Sequence, residues 1–278
     1  VEGGQGSLKK MGLNASETIK VVQVVVFSMT QSLNGRSDKL PASSADAGSS
    51  PLETVISRVA QTSVGQLDEA GLSASDVASA SSSLVGTMVG SLDDGGLGAS
   101  DLSGAVEKIT SGATSALGEV SGVSVSDLSA VIEGITSGAT GALDEISVDG
   151  YDASQLSTMV EKVTSGSTSA LGAITVPGFS ADNLTTMVEK VTSGATKALG
   201  NISMTGYDAS DLSGMVEMVT AGATKSLGKI KMTGYDASKL NTMVEKITAG
   251  STSALGEITM DGFSADNLTS MVEKVTSG

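Results

Sequence analysis

One unit, FSADNLTTMVEKVTSGATKALGNISMTG at 179–206, recurs through most of the chain, with copies opening at Tyr151, Phe179, Tyr207, Tyr235 and Phe263. The constant step of 28 residues between them is the strongest constraint on the fold. A fixed period of this size marks a tandem array in which each unit contacts mainly its neighbours. More divergent copies precede these, and the leucines Leu33, Leu67, Leu92, Leu117 and Leu143 carry the same register back towards the start of the chain.

Within the unit, Leu184, Met187, Val188, Val191, Ala195, Ala198, Leu199 and Ile202 recur at spacings of three and four. That spacing lays one apolar stripe along a helix, where a strand would alternate. Gly194 lies in the middle of the stripe and would be a natural helix stop. Ser28, Thr62 and Thr87 hold its position in the first copies, however, and β-branched threonine does not accept a left-handed cap. The position therefore demands a small side chain, and the spacing predicts one continuous helix of about 20 residues, roughly 30 Å long. Each interior glycine weakens a helix, which predicts close backbone approach at Gly112, Gly138, Gly166, Gly194, Gly222 and Gly250, with Ala198 on the same face as Gly194. A single helix cannot bury enough apolar surface to offset the ordering of its own chain, so the copies must fold together.

Helix starts are read from capping chemistry. Ser50, Pro51 and Glu53 spell a capping box with proline in the first turn, and this register places caps at Ser100, Ser154, Asp182, Ser210 and Ser238. The anchor leucines Leu67, Leu92 and Leu117 are 25 apart, which leaves short turns and makes consecutive helices run antiparallel. The result is an all-α tandem array of about ten helices, an α-solenoid or layered bundle. Three regions make up the chain: an N-terminal arm at 1–12, divergent helical repeats at 13–122 with an exposed loop at 34–49, and near-identical repeats at 123–278 whose last copy is half written. At 21–27 the β-branched run would favour a strand in isolation, but the repeat register assigns it to a helix. The aromatic that opens each late copy is expected to cover a helix end. The half-written stripe at Gly278 leads to the expectation that further chain or a neighbouring subunit completes it.

Absent chemistry narrows the function. The 278 residues include no Cys and no His, so disulfides, thiolate nucleophiles, imidazole bases and the commonest transition-metal ligands are missing. The net charge of −15 opposes phosphate binding, so no nucleic-acid partner is expected, and the longest apolar run is too short to span a membrane. Turn carboxylates such as Asp149 with Asp152, or Asp261 with Asp266, offer hard oxygens to calcium but lack a calcium-loop spacing, so capping is the better reading. The methionines Met159, Met187, Met215, Met243 and Met271 lie on the core stripe and read as packing before they read as a ligand groove. The Glu-Lys column, including Glu189-Lys190 and Glu245-Lys246, reads most simply as a solvated outer face, with pairing between subunits of an assembly as the alternative. No cofactor is expected. Together these features predict a non-enzymatic, secreted structural protein that self-associates into a surface filament, sheath or layer. A monomeric binding solenoid or adhesin stalk is the alternative.

Overall fold

The computed structural model describes residues 51–278, except for 66, 68–71, 93–96, 98, 121–122, 147–150, 203–207, 232–235 and 259–263 in the turns, together with Glu17, Lys20, Val21, Val24, Ser28 and Ser32. The array is built of α1 (Pro51–Gly65), α2 (Ala74–Gly90), α3 (Ala99–Ser115), α4 (Val125–Gly141), α5 (Ala153–Ala170), α6 (Ala181–Leu199), α7 (Ala209–Leu227), α8 (Ala237–Leu255) and α9 (Ala265–Ser277). The described residues contain no strand. Short 3₁₀ turns at Ala116–Gly118, Ala142–Glu145 and Leu171–Ala173 finish α3, α4 and α5. Val21 and Val24 are helical, and the Ser28 hydroxyl donates to the Val24 carbonyl at 2.8 Å, so the repeat register prevails there over β propensity.

The stripe read from one unit is the core. Leu184, Met187, Val188, Val191, Ala195 and Leu199 are fully buried, and one apolar cluster runs from Leu52 to Val275. All five methionines of the column lie in it. The packing order is less obvious. Each helix packs most extensively on the helix two along the chain, so α1, α3, α5, α7 and α9 form one layer and α2, α4, α6 and α8 the other. Within a layer the helices are parallel and in register: Lys239 meets Asp182, Lys246 meets Glu189, and Thr192 donates to the Ile247 carbonyl at 3.3 Å. Since α8 starts beside the start of α6, α7 must carry the chain back, which accounts for the antiparallel succession that short turns require.

The helix starts need a correction of two residues. The caps are Asp152, Ser180, Asp208 and Asp236, whereas Ser154, Asp182, Ser210 and Ser238 lie inside the first turn. Ser100 is likewise the second residue of α3. Pro51 does open α1, but extending its register to every copy overlooks two further residues that the later helices recruit. Those residues let Asp208 accept from the Ser210 and Asp211 amides at 2.7 and 3.2 Å, while Asp211 accepts from the Asp208 amide at 3.1 Å. This reciprocal arrangement satisfies amides that a helix start otherwise leaves open. Asp208→Ala should therefore destabilise the chain by about 1 kcal/mol in urea unfolding, and Ser210→Ala by less than about 0.5 kcal/mol. Ser50 lies outside the described residues, and the Glu53 carboxylate lies against Gly104 of α3.

The turns show how copies are joined. At Val176-Pro177-Gly178-Phe179 the Phe179 amide donates to the Val176 carbonyl at 3.1 Å, with Gly178 at φ +82°, the geometry of a type II turn with proline and glycine at their preferred places. Tyr151 covers the end of α4, its hydroxyl donating to the Leu143 carbonyl at 3.1 Å. Burial, and secondarily the Asp144 charge, raise its phenol above the ordinary tyrosine value. Phe179 packs on the core edge, while Tyr207, Tyr235 and Phe263 lie outside the described residues.

Candidate functional site

The closest approaches in the molecule lie along the seam between alternate helices, and glycine is what permits them. A β-carbon added at Gly194 would sit 2.6 Å from the Glu133 carbonyl oxygen and 2.5 Å from Thr136 Oγ1, both on α4. At Gly166 and Gly222 it would sit 2.5 Å from the carbonyls of Glu107 and Glu161, and at Gly250 it would meet the carbonyl of Glu189. Gly112 and Gly138 are pressed in the same way against the carbonyls of Ser57 and Ser82. Ala198, the other small residue on the α6 face, is buried at 3% exposure. Gly200 is tight as well, 3.2 Å separating such a β-carbon from Ile258 Cγ2. Positive φ plays no part at these seam positions, where the crowding is steric.

The receiving side repeats too. The Thr136 hydroxyl donates back along its own helix, at 3.0 Å to the Ile132 carbonyl and 3.1 Å to the Glu133 carbonyl, and thereby presents its oxygen to the glycine. Thr110, Thr164, Thr192 and Thr220 do the same. The glutamate whose carbonyl meets the glycine also receives a lysine from the glycine's helix. Lys162 meets Glu107 at 2.6 Å, Lys190 meets Glu133 at 2.7 Å, Lys246 meets Glu189 at 2.8 Å and Lys274 meets Glu217 at 2.7 Å. Where Met218 replaces the lysine, Lys225 reaches Glu161 from the next turns at 2.7 Å. The Glu-Lys column is thus an intramolecular ladder. Partly exposed pairs of this kind contribute only about 0.2–1 kcal/mol each, so they set register more than stability. Sequence reasoning left the glutamates and threonines out of the packing site, although their fixed offsets of five and two residues before each glycine were available as a signal.

Burial along the seam falls off at α8 and α9. Leu240 and Val244 on α8 are 37% and 40% exposed, and Leu268 and Val272 on α9 are each 37% exposed, whereas the matching Leu184, Val188, Leu212 and Val216 are fully buried. Glu245 and Glu273 stand on this face in the receiving positions. At the other end, Val21 and Val24 are exposed. Those six are the exposed large hydrophobics of the described residues, and all belong to the terminal copies.

No group of three or more possible metal ligands forms among the described residues, and Asp152 is engaged as a cap. None of the described helices is long and apolar enough to cross a membrane. No protein-family model and no curated protein matches the chain. One solved structure, from work on the computational design of self-assembling cyclic protein homooligomers, matches over 95% of this chain and 94% of its own, at 11% identity and a TM-score of 0.36.

Proposed function

We propose that this chain is a non-enzymatic structural protein that acts outside the cell or on its surface and self-associates into a filament, sheath or layer. The observation that carries the reading is the repeating seam itself, in which copy after copy packs on the copy two along through the same glycine, glutamate and threonine positions. A contact surface built to a repeating pattern favours association with another copy. A chain without cysteine or histidine also lacks the side chains most used in catalysis, and its Gly-, Ser- and Thr-rich repeats suit a packing role.

Light scattering on the purified chain across a wide concentration range, followed by electron microscopy, tests the reading. Mass that rises with concentration, accompanied by ordered rods or sheets, is the expected result. A strictly monomeric rod at every concentration would overturn it and favour the binding-solenoid or stalk alternative.

A further inference from the structure

We infer that Asn201 is the acceptor of an N-linked glycan. The inference rests on the extracellular part of the proposed function, because the transfer takes place on chains that enter a secretory pathway. Four asparagines, Asn14, Asn183, Asn201 and Asn267, stand in the Asn-x-Ser/Thr pattern that the transfer reads. Asn14 lies outside the described residues. The structure separates the other three.

Asn183 and Asn267 are the third residues of α6 and α9. In both helices the asparagine oxygen accepts from the amide and the hydroxyl of the N-cap serine, at 2.9 and 2.6 Å. The hydroxyls two residues on are engaged as well, Thr185 donating to the Ala181 carbonyl at 2.8 Å and Thr269 to the Ala265 carbonyl at 3.0 Å. Thr185 is also buried, at 5% exposure. Helical backbone thus commits both patterns to capping and packing.

Asn201 is placed differently. It lies just beyond α6, where its amide donates to the Ala198 carbonyl at 3.0 Å and the Ile202 amide donates to the Leu199 carbonyl at 3.3 Å. Those bonds and the buried Ile202 hold the backbone of the turn, and the Asn201 side chain is exposed. Glu119, Glu145, Ala173, Lys229 and Glu257 hold the same place in other copies, and every one of them is exposed. The fold turns this position outward whatever residue occupies it. Because α4 and α8 flank α6 in its layer, the exposure of Asn201 is that of an inner copy. The corresponding residues of those two neighbours are Glu145 and Glu257, so a sugar here would extend from a polar edge.

The chemistry asks little of the chain. The Asn201 amide nitrogen attacks the anomeric carbon of an oligosaccharide carried on a lipid diphosphate. The carbon–nitrogen bond forms as the carbon–oxygen bond to the diphosphate breaks, one amide proton is released, and the lipid diphosphate leaves. The product is bulky and solubilising, which keeps this edge of the array in water.

The full chain, led into the secretory pathway of cultured animal cells by an added leader, and the chain isolated from its source both test the assignment. Peptide N-glycosidase converts each glycosylated asparagine to aspartate, which mass spectrometry of the peptides reads site by site. Asn201 should be modified, while Asn183 and Asn267 should remain asparagine. Asn201→Gln and Ser203→Ala should each raise electrophoretic mobility by one glycan. Thr185→Val breaks the Asn183 pattern but keeps the capping asparagine, and it should leave mobility unchanged. A bare Asn201 on a chain recovered outside the cells, in either preparation, would overturn the glycan and leave the extracellular reading standing. Modification of Asn183 to the same extent as Asn201 would overturn selection by the fold. A native chain confined to the cytoplasm would overturn both the glycan and the extracellular reading.

Discussion

Gly194→Val should destabilise the chain by about 2–4 kcal/mol, read as a lower urea midpoint, although it replaces a poor helix former with a better one. The reason is the carbonyl of Glu133. A β-carbon at Gly194 falls 2.6 Å from that oxygen and 2.5 Å from Thr136 Oγ1, distances at which backbone rather than a flexible side-chain tip must move. Separating α6 from α4 would also loosen the ladder pair between Lys190 and Glu133. Gly214, inside α7, is the control, because nothing lies within 4 Å of a β-carbon there. Gly214→Ala should stabilise the chain by about 0.5–1 kcal/mol through helix propensity alone. Gly194→Ala should have the opposite sign. If both alanine variants proved equally benign, the close-approach account of the seam would be wrong.

That contrast also shows what a single sequence reveals. The helices and their unbroken passage through Gly194 are legible because the stripe keeps helical spacing across the glycine, and because threonine in early copies excludes a left-handed cap. The partner of each helix is not legible from the stripe, since an apolar face states that a neighbour exists without saying which. That information lies in Glu, Thr and Gly acting together across two repeats, as in Glu133 and Thr136 against Gly194. The helix starts illustrate a different difficulty. Asp152 and Ser154, or Ser180 and Asp182, are cap-forming residues two places apart, and either member would serve chemically. The structure chooses the earlier residue because Asn183 and Asp211 then close capping boxes with Ser180 and Asp208. The exposure of Leu240, Val244, Leu268 and Val272 becomes legible only once the layers are known.

The second large effect separates inner from terminal copies at one repeat position. Leu184 and Leu268 occupy the same place in their units, yet Leu184 is fully buried and Leu268 is 37% exposed. Leu184→Ala should destabilise the chain by about 2–5 kcal/mol, the combined loss of apolar transfer and of packing around the resulting cavity. Leu268→Ala, studied in dilute solution, should cost less than about 1 kcal/mol because much of that side chain already meets water. Hydrogen exchange should show the same gradient, with α9 opening at a lower free energy than α6. Equal losses at Leu184 and Leu268 would show that the difference in burial between the two copies does not set their contribution to stability.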